Sequence, residues 1–200
     1  IELIKHKNIG IVQPKIMNLK NKNYFDYAGG AGGFIDLIGI PFCRGRILNT
    51  LEKDCNQYDE DRSIFWASGC CFIIKKNVFQ KLNGFDEDFF MHQEEIDLCW
   101  RAQAINKEVY YCKKSTIYHH GGGTLQHSSA NKYYYNHRNN LFLLFKNLPF
   151  HWLITILPIR LLLDYMLILY YLLIKKKKIA ISILKAHCSF IYLIPSFLKK

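Results

Sequence analysis

A long apolar segment near the carboxyl end, Phe150 to Ile174, limits how this chain can fold. As a helix it would extend roughly 37 Å at 1.5 Å per residue, which is long enough to cross a bilayer core. Arg160 and Asp164 oppose a span because each costs about 2.5–3.5 kcal/mol at the membrane centre, although their i,i+4 spacing lets them pair. Pro158 also disfavours a straight helix. The segment therefore predicts an interfacial or re-entrant helix; a true span and packing on a soluble domain remain open.

The positive charge of the chain is concentrated in the same region. The formal net charge is +11, and residues 146–200 hold nine Lys and Arg against one acid. Lys175 to Lys178 separate the first apolar segment from a second one, Ile179 to Ile194. Lysines beside aliphatic residues favour anionic lipid, at about 1 kcal/mol each, and the positive-inside rule puts them on the cytoplasmic side. We predict a membrane surface as partner, at the cytoplasmic face of the cell membrane, and no nucleic acid, which would favour a basic and aromatic stripe.

An acidic and aromatic stretch, Gly84 to Arg101, is the main candidate for chemistry; it reads GFDEDFFMHQEEIDLCWR. Its second half has helical spacing, and Asp97 and Arg101 form an i,i+4 pair. Glu94 and Glu95 would lie in the first helical turn, where the helix dipole stabilises carboxylates. Acids among so many aromatic side chains indicate a cleft, and an ordinary acidic helix start remains the alternative.

Together with the run YHHGGG at Tyr118–Gly123, this stretch resembles the catalytic domain of family 2 glycosyltransferases, and in particular rhamnosyltransferase-like bacterial members. The resemblance covers about Ile9 to Leu148. It implies an α/β, Rossmann-like GT-A fold and an inverting reaction. The implied substrates are a nucleotide-sugar donor, carrying rhamnose or a similar sugar, and a hydroxyl of a growing cell-surface glycan or lipid-linked acceptor.

The same resemblance divides the chain into two parts. Residues 1–147 correspond to the acceptor and base half of a GT-A domain, and residues 148–200 to a basic, apolar, membrane-associated helical tail. The chain starts without Met. Its acidic run Asp59–Asp61 follows the first strands, whereas the family's Asp-x-Asp metal motif belongs to the upstream nucleotide-binding half, so the run does not correspond to that motif. We therefore expect the N-terminal nucleotide-binding half to be absent and the fragment alone to be inactive. A non-catalytic, membrane-associated remnant of such an enzyme remains the alternative.

The resemblance also implies roles for the acidic residues. Glu95 corresponds to the general base, which removes the proton of the acceptor hydroxyl, while Glu94 and Asp97 support the helix start. Many family members have Asp at the position of Glu95, and the extra methylene moves the carboxylate by about 1 Å. If Glu95 is not the base, Glu94 or Asp86 takes this role. Asp86 is also expected to bind substrate.

Three further residues take roles from the resemblance. Trp66 corresponds to an aromatic residue of the acceptor pocket, and a buried core position is its alternative. His119 corresponds to a metal-binding histidine, so a divalent metal, Mn²⁺ or Mg²⁺, is the expected cofactor, although one imidazole is a weak metal signal by itself. Arg138 is suited to bind the leaving diphosphate through its planar fork of donors, and a structural ion pair is its alternative.

Local patterns predict most of the remaining elements. Pro14 suggests that the first strand ends there or lies at a sheet edge. A helix is expected at Asn77 to Leu82, and the glycine-rich stretch Asp26 to Arg46 reads as a loop or irregular hairpin. The seven cysteines form no C-x-x-C pair, which favours reduced thiols. The predicted strands are Ile9 to Ile16, Ser63 to Ile74, Val109 to Cys112 and Ser115 to Tyr118.

Overall fold

The computed structural model describes residues 2–120 and 129–197, so the glycine turn expected at 121–123 lies outside the described residues. The class is mixed α/β, as the sequence predicts. The strands are β1 (Ile9–Asn18), β2 (Gly33–Ile35), β3 (Pro41–Cys43), β4 (Arg46–Ile47), β5 (Thr50–Leu51), β6 (Arg62–Ile64), β7 (Ile73–Ile74) and β8 (Glu108–His119). The helices are α1 (Glu2–Lys5), α2 (Lys76–Lys81), α3 (Glu94–Ala104), α4 (Ala130–Asn147), α5 (Phe150–Leu173) and α6 (Lys177–Phe197), with a 3₁₀ turn at Glu87–Phe89.

The described residues form two compact units. The first comprises residues 2–36, 41–86 and 94–120, and therefore holds the strands and α3. The second comprises residues 37–40, 87–93 and 129–197, and therefore holds α4, α5 and α6. Helix α4, which the sequence pattern did not predict, thus groups with the apolar helices.

The main sheet of the first unit has the strand order β6-β8-β1-β7. Strand β1 lies inside this sheet, parallel to β8 and antiparallel to β7, so the edge position expected from Pro14 is wrong. The proline is tolerated because β7 pairs only with Ile11 and Val12 and does not reach Pro14, and the 24–30 segment makes main-chain hydrogen bonds to β1 only from Ile16 onward. Nine of the ten residues of β1 are buried, as expected for a central strand.

Two other strand predictions also need correction. Val109 to Tyr118 belongs to one strand, β8, because the extra residues around Lys113 form a bulge opposite β1 instead of a turn. Asp61 stabilises the bulge by accepting a hydrogen bond from the Lys113 N–H at 2.7 Å. The predicted strand at 63–74 is instead two short strands, β6 and β7, which pair with β8 and β1 respectively. Ile73 in β7 is half exposed.

Helix α3 forms as its sequence predicts, beginning at Glu94. Its buried side chains are Ile96, Asp97, Leu98, Cys99 and Ala102, so the helix is buried on more than one face between residues 96 and 99. The predicted pair is present: Arg101 Nε lies 2.7 Å from Asp97 Oδ2. Arg101 also donates to the main-chain oxygens of Leu82 and Gly84, so the pair ties α3 to the end of α2.

The second unit consists mainly of α4, α5 and α6, which pack on one another. Ser129 caps α4 by accepting a hydrogen bond from the Lys132 N–H. Helices α5 and α6 are long and apolar enough to cross a membrane by length and composition, and both expose large apolar side chains. The most exposed of these are Phe150, Leu162, Leu169, Leu173, Ile191 and Tyr192.

A buried carboxylate joins the three helices of the second unit. Asp164 on α5 lies 2.9 Å from His137 Nδ1 on α4 and 2.9 Å from His187 Nε2 on α6. Arg160, one turn before it, approaches the same carboxylate at 3.0 Å and donates to Asn140 at 2.8 Å. The two charges that oppose a simple span therefore face the interior of the helical unit, where each has polar partners.

We expect Asp164→Ala to lower the free energy of unfolding of the helical unit by about 3–5 kcal/mol, because Arg160 would stay buried without its carboxylate. Thermal or urea unfolding in a mild detergent, followed by the helical circular dichroism signal, measures this change. Lys185→Ala, at an exposed position of α6, is the matched control and should change stability by less than about 0.5 kcal/mol. Equal effects of the two substitutions would contradict a structural role for the buried cluster.

Candidate functional site

The carboxyl ends of the parallel strands β1 and β8 define the candidate site of the first unit. Asn18, the last residue of β1, is in register with His119, the last residue of β8. The Leu19 N–H then donates to the His119 main-chain oxygen at 2.9 Å, which fixes this end of the pair. In α/β proteins ligands bind at the carboxyl ends of parallel strands, because loops there present polar groups that the sheet does not use.

His119 is held by a carboxylate that the sequence reasoning missed. Its Nδ1 lies 2.9 Å from Oδ1 of Asp26, whose side chain is buried, while about a third of the His119 side chain is exposed. The same Oδ1 accepts the Ala28 N–H at 2.9 Å. Asp26 Oδ2 is buried and has no hydrogen-bond partner among the described residues. The available signal was that Asp26 opens the glycine-rich stretch, but nothing in its spacing relates it to a residue 93 positions later.

A buried amide connects the His119 side of the site with the turn after β6. Gln13 on β1 is fully buried; it donates to the Gly29 oxygen at 2.9 Å and accepts the Ser68 N–H at 2.7 Å. Gly29 approaches Ser68 so closely that a Cβ at position 29 would lie 2.8 Å from that of Ser68. Its φ of 89° also requires glycine. The 26–29 segment and the 67–70 turn are therefore fixed side by side.

The two glutamates of α3 lie against the next part of this turn. A Cβ built on Gly69 would lie 3.6–3.7 Å from the Glu95 side chain, an ordinary van der Waals distance, so Glu95 lies directly beside this turn. Both glutamates are half-buried in the first turn of α3. Burial raises the pKa of Glu94 above its usual range, while a hydrogen bond from its own N–H opposes the shift. A carboxylate with raised proton affinity is a better proton acceptor.

The thiol of Cys70 lies within the electrostatic reach of Asp26. Burial first, and then the charge of Asp26, raises the pKa of Cys70 to about 12, so the thiol is protonated and unreactive at neutral pH. The Ser68 side chain accepts the Cys70 N–H at 3.2 Å. The 68–70 turn is therefore close to Asp26 at Cys70 and to Glu95 at Gly69. All seven cysteines are free thiols, as predicted.

Trp66 lies in the wall of the site and not on its surface. Its side chain is buried, its Nε1–H donates to the Phe34 oxygen at 2.8 Å, and its ring covers Gly33 so closely that no Cβ fits there. These contacts agree with the core alternative. Contact with a sugar ring stays a prediction for this residue.

The remaining predicted site residues have different surroundings. Asp97 is fully buried and pairs with Arg101, which gives it a structural role in α3. Asp86 is half-buried at the end of the loop before the 3₁₀ turn. The catalytic role expected for Asp97 and the substrate-binding role expected for Asp86 stay predictions.

Arg138 belongs to the second unit, where its guanidinium binds main-chain oxygens. It donates to Asp88 at 3.0 Å and to Phe89 at 2.8 Å, and only 7% of its surface is exposed. Asn139 donates to the Phe89, Met91 and His92 oxygens at 2.7–2.9 Å. The arginine therefore fastens the 87–93 segment, and binding of the leaving diphosphate stays a prediction.

The chemistry of the donor set allows only a partial protein site for a divalent cation. Within residues 2–120 and 129–197, no group of three or more His, Cys, Asp and Glu side chains is arranged to hold a metal ion. His119 offers one nitrogen, and its partner Asp26 has a buried Oδ2 without a hydrogen bond among the described residues. A cation at His119 would therefore need further oxygen ligands, such as those of a diphosphate.

Comparison with known proteins gives several partial matches. The chain is 28% identical over 107 residues to the low-salt glycan biosynthesis hexosyltransferase of Haloferax volcanii, a match that covers 53% of this chain and 31% of that protein. It is 31% identical over 67 residues to the N-acetylglucosaminyl-diphospho-decaprenol L-rhamnosyltransferase of Mycobacterium tuberculosis, over 34% of this chain and 22% of that protein. A rhamnosyltransferase of Escherichia coli is 33% identical over 51 residues, or 26% of this chain and 19% of that protein. No protein-family model matches the chain.

These similarities support a glycosyltransferase family for this chain. The matched part spans about a third or less of the length of each of these relatives. The resemblance to hexosyl- and rhamnosyltransferases expected from the sequence is thus supported at that level.

The raised pKa of Glu94 leads to a pH-dependent prediction. An acid whose pKa is raised by folding stabilises the folded state while it is protonated, and this contribution is lost as pH rises through the folded pKa. We therefore expect Glu94→Gln to be more stable than the unmodified protein at neutral pH, with the difference vanishing below the ordinary glutamate pKa of about 4.3. Chemical unfolding at a series of pH values measures it. Glu87→Gln, which removes an exposed carboxylate, is the control, and an equal pH-dependent gain in this variant would contradict burial of Glu94 as the cause.

Proposed function

We propose that this chain is the acceptor and base part of an inverting, family 2 glycosyltransferase with a GT-A fold. It would transfer a sugar, rhamnose or a similar hexose, from a nucleotide-sugar to a hydroxyl of a cell-surface glycan or lipid-linked acceptor. The observation that carries the proposal is that Gln13 joins the 68–70 turn, which lies beside Glu95, to the 26–29 segment, whose Asp26 contacts His119. The partial similarity to hexosyl- and rhamnosyltransferases supports the reaction class.

The proposed mechanism assigns the proton transfer to Glu95. The acceptor hydroxyl attacks the anomeric carbon, the carboxylate takes its proton, and the bond from that carbon to the diphosphate oxygen breaks with its electron pair leaving on the diphosphate. Glu94, whose pKa is raised, is the substitute base for this step.

His119 would interact with the leaving group. Its exposed ring edge lies at the carboxyl end of β8, where the donor diphosphate is expected in this fold class. A divalent cation, Mn²⁺ or Mg²⁺, would neutralise negative charge on the departing diphosphate. Mn²⁺ suits His119 better, since it accepts imidazole more readily than Mg²⁺ does.

The base assignment predicts that Glu95→Gln lowers the turnover of sugar transfer by about 10²–10⁴-fold, because glutamine keeps the shape but cannot accept the proton. The measurement uses the complete gene product in membranes, with Mn²⁺ and a panel of nucleotide-sugars. Donor binding, followed by calorimetry, should be unchanged in the variant.

Glu94→Gln and Glu87→Gln are the comparison variants for this measurement. The first removes the neighbouring carboxylate of the same helical turn, and the second removes an exposed carboxylate outside the site. Full activity of Glu95→Gln together with loss in Glu94→Gln would move the base to Glu94. Absence of transfer with every donor would instead favour a non-catalytic, membrane-associated remnant.

The proposal also places the helical unit on the cytoplasmic face of the cell membrane. Helices α5 and α6 expose large apolar side chains, and the exposed lysines Lys175–Lys178 lie at the junction of the two helices. Apolar surface beside lysines matches an anionic lipid surface, since the aliphatic groups enter the acyl region and the lysines remain among the headgroups. The polar interior around Asp164 favours helices that lie in the interface over two simple spans.

The lysines give a direct test of lipid binding. We expect the double substitution Lys177→Gln and Lys178→Gln to weaken binding to vesicles of phosphatidylserine and phosphatidylcholine by roughly 25-fold, since each lysine contributes about 1 kcal/mol. Vesicle co-sedimentation measures the change, and added salt should reduce it. The matched control is Lys20→Gln with Lys22→Gln, which removes the same charge from exposed positions of the first unit. An equal loss in both double variants would contradict a lipid surface at the α5–α6 junction.

A further inference from the structure

The contacts of Asp26 indicate which ring nitrogen of His119 carries the hydrogen. Asp26 Oδ1 accepts a hydrogen bond from the Ala28 N–H and lies 2.9 Å from His119 Nδ1. A carboxylate oxygen that already accepts one N–H is an acceptor, so the hydrogen of the second contact is on Nδ1. A neutral imidazole protonated at Nδ1 has its lone pair on Nε2.

We infer that Asp26 is a positioning residue that holds His119 as the Nδ1–H tautomer and thereby directs the Nε2 lone pair out of the sheet end. This inference rests on the proposed function in one respect, namely that His119 contacts the donor's diphosphate-bound cation. The carboxylate fixes both the tautomer and the ring plane, as carboxylates do for metal-binding histidines in general.

The surroundings of Asp26 explain why the carboxylate itself keeps its position. Its main-chain N–H donates to the Ile16 oxygen on β1 at 3.0 Å, and the following Gly30 oxygen accepts the Ile16 N–H at 2.9 Å. Residue 26 is therefore attached to a central strand on its main chain and to Ala28 through its side chain. The Gln13 amide then fixes Gly29, three residues on. Because Asp26, Ile16 and Gln13 are buried, little freedom remains for Asp26 to turn away from His119.

The tautomer can be observed without any activity measurement. In protein labelled with ¹⁵N-histidine, long-range ¹H–¹⁵N correlation spectra distinguish a ring nitrogen that carries hydrogen from one that carries a lone pair. His119→Gln identifies the signals of this residue. Under conditions in which the ring is neutral, we expect a lone-pair Nε2 and a protonated Nδ1 for His119. A protonated Nε2 in the unmodified protein would by itself overturn the inference.

Two substitutions of Asp26 test the cause of the tautomer. Asp26→Ala removes the acceptor, so the Nδ1–H signal should be lost or become a minor species. Asp26→Asn keeps an oxygen that can accept from both Nδ1–H and the Ala28 N–H, and should retain the tautomer. Asp61→Ala is the matched control, because Asp61 also accepts a main-chain N–H, that of Lys113, without a described contact to His119. An unchanged tautomer in folded Asp26→Ala would overturn the inference.

Metal affinity separates this inference from the proposed function. We expect Mn²⁺ to bind the donor-loaded protein about 10–100-fold more weakly in Asp26→Ala than in the unmodified protein, as for other carboxylates that orient a metal-binding histidine. Electron paramagnetic resonance of free Mn²⁺ measures this directly. A switched tautomer with unchanged Mn²⁺ affinity would overturn His119 as a cation contact in the proposed function and leave the role of Asp26 intact.

Discussion

The first unit depends on one buried polar contact, the amide of Gln13. A fully buried amide in a central strand is costly unless its hydrogen bonds are made, and here each end of the amide is bonded to a different loop. Gly29 and Ser68 are therefore hydrogen-bonded to opposite ends of the planar Gln13 amide. Two features of the candidate site belong to these loops: Asp26 precedes Gly29, and Gly69, which lies beside Glu95, follows Ser68. An apolar residue at position 13 would pack in the core but would leave both loops without an anchor.

Short-range patterns were sufficient to predict the parts of the site that lie on one element. The start of α3, the two glutamates in its first turn and the Asp97–Arg101 pair all follow from spacing within a few residues. The strand end at His119 was also predictable, because β-branched and aromatic residues lead into it. Asp26 could not be predicted, since its relation to His119 arises from β1 lying between the two chain segments.

The errors in the strand predictions have a common physical origin. Local patterns are interrupted at Pro14, at Lys113 and in the 65–72 segment. From the sequence alone, the first two positions were interpreted as strand ends and the third as part of one continuous strand. In the structure, partners distant in the chain decide the outcome: β7 is too short to oppose Pro14, and Asp61 satisfies the bulge at Lys113. Tertiary contacts override local preference at such points, which a single sequence does not contain.

In the second unit, the usual distribution of polar and apolar side chains between interior and surface is reversed. Its exterior is apolar along α5 and α6, and its interior contains Asp164, Arg160 and two histidines. In water alone this distribution would be unfavourable, because apolar side chains stay exposed while charges are desolvated. Next to lipid, the same distribution becomes favourable: the exposed side chains enter an apolar medium, and the buried charges find partners only inside the protein. The arrangement of Asp164 is therefore a stronger argument for a lipid environment than the hydropathy of α5 alone.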